Sequence, residues 1–127
     1  HGGVPNHVYP TLCLAAAMDI VVGPADGFDY DFDHLVPRPS ETTGTVVREI
    51  PIDEEGRMFV NYYGKSKTFD YLPYMYCFDP EMLDPSYWNG KVAMVGASLP
   101  GLLDLRNTPV QETFARVEIH ANVMNSI

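Results

Sequence analysis

The chain has 127 residues, 46% of them hydrophobic, and carries 17 acidic against 8 basic side chains for a formal net charge of −9. That length suits one domain, residues 1–127, with a core of its own. The charge argues against nucleic acid, which is held largely by Lys and Arg on phosphates, and against anionic lipid; it reads as a well-solvated acidic surface.

Pro10 pre-sets the backbone angle of a first helical turn, so Thr11–Val21 reads as a helix that Gly23-Pro24 ends. Leu12, Leu14, Ala15, Ala16, Ala17, Met18 and Ile20 make it apolar nearly all round, which predicts burial. Phe28-Asp29-Tyr30-Asp31-Phe32-Asp33-His34 alternates aromatics with aspartates, the pattern of a short extended segment with one apolar and one acidic face. Asp29, Asp31 and Asp33 open like a calcium loop, but His34 stands where that loop needs Gly and Ser40 where it needs Glu, so no metal is expected. Pro37, Pro39 and Ser40 mark a loop.

Thr45–Asp53 and Met58–Tyr63 read as a hairpin around Glu54-Glu55-Gly56-Arg57, with Gly56 supplying a left-handed backbone. Thr68–Trp88 is rich in Tyr, Pro and Asp. Tyr71, Tyr74, Tyr76 and Phe78 could line an aromatic groove, although packing on a sheet is the commoner fate of such residues. Val92–Val95 has no polar interruption, as expected of a central strand covered on both faces. Val117–Ile127 reads as a helix with Val117, Ala121 and Met124 on one side and Glu118 and Asn122 on another. The fold class is therefore α/β or α+β, a mixed sheet with a buried central strand, a hairpin and packing helices.

Cys13 and Cys77 both lie among apolar neighbours and read as two buried thiols; a disulfide would need an oxidising compartment. No Cys/His spacing suggests zinc, and no cofactor motif is present. No run of about eighteen apolar residues could span a bilayer. His1-Gly2-Gly3 does not begin a signal peptide. In a fragment of a longer protein, membrane and targeting segments would lie outside this chain.

Charged and polar groups gather just beyond Val92–Val95, where open α/β sheets place their working groups. Ser98, Asp104 and His120 follow the order of α/β-hydrolase triads. Gly96-Ala97-Ser98-Leu99-Pro100 is not a Gly-x-Ser-x-Gly elbow, however, and the partners crowd too close behind the serine. Gly96–Gly101 lacks the lysine of a phosphate loop and serves better as a turn that lets backbone pass closely. Asp104 and Arg106 flank Leu105; Arg106 could clamp a carboxylate, or the pair could pin the loop with Glu118 or His120 as partners.

Three segments then carry a resemblance: Lys91–Ala97 (KVAMVGA), Pro100–Pro109 (PGLLDLRNTP) and Val117–Asn122 (VEIHAN), in this order and spacing, look like the end of a CHASE domain of the second type. Ile50–Gly64 and Pro10–Ala17 resemble earlier parts of the same family. Ala115-Arg116 stands where the family tends to have Pro-Gly, so the turn into the last helix must be built differently. The family's domain is longer, which makes this chain look like its C-terminal portion.

The resemblance implies a non-catalytic sensor domain on the periplasmic or extracellular side of a bacterial membrane. Transmembrane helices outside this chain would flank it, and a cytoplasmic output module of the same polypeptide would follow, most often a nucleotide cyclase or a kinase. Its partner would be an unidentified small-molecule or environmental signal, with a homodimer possible. Ser98, Asp104, Arg106, Glu118, His120 and Asn122 are the residues expected to bind the signal or to latch a sensor loop to the last helix. A small serine hydrolase and a structural dimerisation module are the alternatives.

Overall fold

The computed structural model describes residues 11–21, 25–30, 33–39, 49–79, 81–98 and 105–127. Pro10, Gly23-Pro24, Asp31, Ser40, the start of the expected hairpin at residues 45–48, and Asp104 lie outside the described residues. Among the described residues there are two α-helices and two small antiparallel sheets, an α+β arrangement. The chain divides into two compact units: His1–Asn61 with Val123–Ile127, and Tyr62–Asn122.

In the first unit, helix α1 (Leu12–Val21) begins at Thr11, whose hydroxyl accepts from the Leu14 N–H at 3.4 Å and whose carbonyl accepts from Ala15 at 2.9 Å. A threonine at this place satisfies one of the donors that a helix start leaves over. One face of α1 is buried through Cys13, Ala17 and Met18, while Leu12 and Ile20 on the other are exposed. The all-round burial expected from composition is thus confined to one stripe, because only one side of α1 meets apolar neighbours.

Strands β1 (Ala25–Tyr30), β2 (His34–Pro39) and β3 (Ile50–Pro51) form an antiparallel sheet in that order. Of the expected extended segment, Phe28–Tyr30 close β1 and His34 opens β2. Pro37 and Pro39, expected in a loop, sit in β2 opposite Phe28 and Ala25. Both prolines lie opposite β1, and the described residues of β3 pair with His34 and Leu35 instead. Asp29, from the rejected calcium reading, pairs with Arg38 at 3.3 Å, and Asp33 with His34 at 2.6 Å. Ala17, Ile50 and Ile127 form the core of this unit, with Leu14, Leu35, Met58 and Val123 packed on it.

The turn after β3 forms as read: Gly56 has φ +74°, and its N–H donates to the Asp53 carbonyl at 2.8 Å. The Asp53 carboxylate closes it, accepting from the Glu55 N–H at 3.0 Å, the Arg57 N–H at 2.9 Å and the Arg57 Nε–H at 2.8 Å. The returning segment Met58–Tyr63 is not a strand, however, and no hairpin ladder extends beyond the turn.

In the second unit, two short 3₁₀ turns, Tyr74–Phe78 and Pro85–Trp88, lead to Lys91–Ser98. Tyr74 and Phe78 stack edge to face with centroids 5.2 Å apart, and both are exposed rather than packed on a sheet. Val92–Val95 is not the buried central strand expected. It belongs to neither sheet, and Val92 and Val95 are 55% and 78% exposed. An apolar run becomes a strand only where another strand takes up its backbone, and none of the described strands does.

Strands β4 (Leu105–Thr108) and β5 (Gln111–Ala115) form the second sheet, with Leu105 opposite Ala115 and Arg106 opposite Phe114. The stretch read as a polar loop is thus half of a hairpin. Helix α2 (Arg116–Ser126) follows β5 without an intervening residue, and neither Ala115 nor Arg116 has positive φ. The strand passes directly into the helix, which is how the chain manages without a glycine at this point.

Candidate functional site

Helix α2 buries two polar side chains, Glu118 at 2% and Asn122 at 1% exposure. Their spacing of four residues puts them on one face, one turn apart. A buried carboxylate is costly unless hydrogen bonds replace its water, and here a single loop supplies them. Glu118 Oε2 accepts from the Ser66 hydroxyl at 3.3 Å, the Lys67 N–H at 3.0 Å and the Tyr71 hydroxyl at 2.8 Å. Oε1 accepts from the Thr68 N–H at 3.0 Å.

The loop is shaped for this. Lys67 has φ +71°, a left-handed conformation that costs a non-glycine residue energy, and it turns successive N–H groups toward one point. The Thr68 hydroxyl donates to the Lys65 carbonyl at 2.6 Å, and the Ser66 N–H to Gln111 Oε1 at 3.1 Å. A Cβ on Gly64 would come within 2.6 Å of Thr68 Oγ1, so the tight closure depends on glycine there. The result is a backbone anion cradle occupied by the chain's own carboxylate.

Asn122 does the same for the chain just before this loop. Its Nδ2 donates to the Glu118 carbonyl at 2.9 Å and its Oδ1 accepts the Tyr63 N–H at 3.1 Å. Burial pushes the Tyr71 phenol up to about 12, with the Glu118 hydrogen bond and charge adding to it. The proton therefore stays on Tyr71, which remains the donor.

Beside this latch lies a cleft of about 490 Å³. Its floor is one face of the β4–β5 hairpin, given by Leu105, Gln111, Thr113 and Ala115, as the period of two in a strand requires. The intervening Phe114 is buried on the opposite face, edge to face with Tyr62 at 5.6 Å. The latch loop contributes Ser66, Lys67 and Tyr71, with Leu72 and Pro73 following, and Ser98 completes the wall.

Of the residues picked out in the sequence, Ser98 lines the cleft, and Glu118 and Asn122 form the latch. Arg106 does not line the cleft; its guanidinium donates to the Leu105 carbonyl at 3.0 Å, and it is not among the donors to Glu118. His120 is half-buried on α2 and also absent from the cleft lining. The residues that sequence reasoning passed over are Ser66, Lys67, Gln111 and Thr113; Tyr71, read there as a candidate for an aromatic groove, lines the cleft and donates to Glu118. A signal for the first two existed: Gly64-Lys65-Ser66-Lys67-Thr68 combines a glycine, hydroxyls and free N–H groups, the composition of an anion cradle. Among the described residues no group of His, Cys, Asp or Glu is placed to hold a metal ion, and no helix is long and apolar enough to cross a membrane.

The family model of the CHASE2 domain matches residues 3–127. The chain belongs to the CHASE2 family. CHASE2 domains are extracytoplasmic sensor domains, which agrees with a domain that has no catalytic role of its own. Neither a curated protein nor a solved structure matches the chain. Within this CHASE2 chain the KVAMVGA motif owes its glycine to packing: a Cβ on Gly96 would lie 2.5 Å from Val117 Cβ. The VEIHAN motif supplies both latch residues, Glu118 and Asn122.

Proposed function

We propose that this CHASE2 chain is the sensor of a bacterial transmembrane receptor, either one whole sensor domain or the C-terminal portion of one. Its signal passes through helix α2 to a cytoplasmic output module, a nucleotide cyclase in the first instance and a kinase otherwise. Transmembrane segments outside this chain anchor it on the periplasmic or extracellular face, and a second copy of the receptor is a candidate partner. The observation that carries this reading is the Glu118 latch: one carboxylate on α2 gathers four donors from residues 66–71. A signal that rearranges that loop changes what holds the helix. Such a device works only if the signal has different contacts in the two arrangements.

The candidate residues divide accordingly. Ser98 belongs with signal binding, Glu118 and Asn122 with the latch, and Asp104, Arg106 and His120 with support of the loop and helix around them. Two measurements on the parent receptor test the reading. A membrane-impermeant maleimide should label exposed Cys77 on intact cells, with the signal lost in Cys77→Ser; labelling only after lysis would refute the placement. Glu118→Gln should change basal cyclic-nucleotide production, or autophosphorylation if the output is a kinase, by several-fold without loss of the protein from the membrane. Output identical to wild type would refute coupling through the latch.

A further inference from the structure

We infer that the cleft between the β4–β5 face and the latch loop binds a small organic anion with an apolar body. The inference rests on the sensor reading for its purpose but not for its chemistry. Among the described residues that line the cleft, Lys67 is the one charged residue. Around it stand neutral donors and acceptors, Ser98 and Thr113 among them, and the wall is otherwise apolar through Leu72, Pro73 and Leu105. A cleft of about 490 Å³ lies within the range of small-molecule sites, where apolar walls provide affinity and a few polar groups fix orientation. A lysine in the lining of a largely apolar slot selects a carboxylate or similar anion, and the slot selects a hydrocarbon or aromatic remainder.

Two charges oppose this and neither prevails. The formal charge of −9 acts over the whole surface, but salt screens exposed charges beyond about 8 Å in physiological conditions. Glu118 is close, yet it does not line the cleft, and its oxygens are already engaged by four donors of the loop. The same loop explains how occupancy reaches α2. Ser66 and Tyr71 both line the cleft and both donate to Glu118. An anion at Lys67 offers these hydroxyls a second acceptor, so its binding draws on the bonds that hold the helix.

The test uses the purified chain and three probes of nearly one shape: phenylacetate, phenethylamine and 2-phenylethanol, titrated by calorimetry. Phenylacetate should bind at least tenfold more tightly than the amine and the alcohol. Lys67→Gly removes the ammonium while suiting the left-handed backbone, so it should weaken phenylacetate at least tenfold with an unchanged or higher melting temperature. Thr113→Trp, at an exposed strand position, should block binding by filling the slot. Preference for the amine or the alcohol, no binding of phenylacetate at about 10 mM, or full affinity in folded Lys67→Gly would each overturn the inference. None of these results bears on Cys77 labelling or on receptor output, so failure here is separable from failure of the sensor reading.

Discussion

Replacing Glu118 by Gln changes little in volume but tests every bond of the latch. Three of the four donors converge on Oε2 and one on Oε1. The amide will therefore place its carbonyl oxygen at the Oε2 position, which leaves its NH₂ facing the Thr68 N–H, donor against donor. One hydrogen bond is lost outright, and three change from a charged to a neutral acceptor. Charged hydrogen bonds contribute about 1.5–3 kcal/mol and neutral ones about 0.5–1.5 kcal/mol. Relief of the cost of burying a charge offsets part of the difference. The net expectation is a loss of about 1–3 kcal/mol, against about 3–5 kcal/mol for Glu118→Ala, which strands all four donors. Urea unfolding followed by far-UV circular dichroism and by Trp88, the single tryptophan, measures both. In a double-mutant cycle, Tyr71→Phe should couple to Glu118→Gln by about 1 kcal/mol. A Gln variant as stable as wild type, or zero coupling to Tyr71, would refute the latch.

Gly96→Ala should cost about 1–3 kcal/mol or more, because its Cβ would stand 2.5 Å from Val117 Cβ; Gly90→Ala, with open space but φ +69°, should cost only about 1 kcal/mol, and equal melting curves for the two would contradict the close approach. Exposed Cys77 should react with a disulfide reagent at once, while Cys13, buried and with its thiol pushed up by that burial, should react only on unfolding; two fast thiols would contradict this. The Tyr71 phenol sits above its ordinary value of 10.0, at about 12, so its stabilising effect is complete below about pH 10 and fades as pH rises toward 12. Stability should therefore fall less steeply across that window in Tyr71→Phe, and an unchanged slope would count against burial of the phenol beside Glu118.

What the sequence disclosed and what it hid divide along a physical line. Helix boundaries were legible because they are local: Thr11 caps α1, and the mixed spacing of Val117–Ile127 already placed Glu118 and Asn122 on one side of α2. The turn at Gly56 was legible for the same reason, since a left-handed residue and a capping aspartate need only their neighbours. Strand status was not, because it depends on a partner elsewhere in the chain. Val92–Val95 is as apolar as a central strand and Pro37 and Pro39 look like loop residues, yet the prolines lie in β2 and the valines in no strand. The latch was half visible. A carboxylate at position 118 could be singled out, but two of its four donors are the backbone N–H groups of Lys67 and Thr68, which the left-handed turn at Lys67 aims rather than any side chain.

Those backbone donors also explain why polar residues occupy the buried face of α2 at all. Residues 61–63 join no sheet and residues 64–67 bend and turn, so the N–H groups of 61–68 need acceptors from somewhere else. Within the second unit Asn122 takes the Tyr63 N–H and Glu118 those of Lys67 and Thr68; within the first, Ser126 takes that of Asn61 at 3.0 Å. Each unit thus secures non-sheet chain to this helix through side-chain acceptors where a neighbouring strand would otherwise serve. A sheet ladder shares its bonds among many residues and yields only as a whole. The grip on residues 66–71 is concentrated instead in one carboxylate, so a change at a single side chain releases four bonds together. On the sensor reading, that concentration is what lets a small ligand at the loop alter the hold on α2. It also predicts the hierarchy of effects: Glu118 variants should disturb output more than Asn122 variants, because Glu118 gathers its donors from the loop that lines the cleft, whereas the Tyr63 N–H that Asn122 accepts belongs to a residue before that loop.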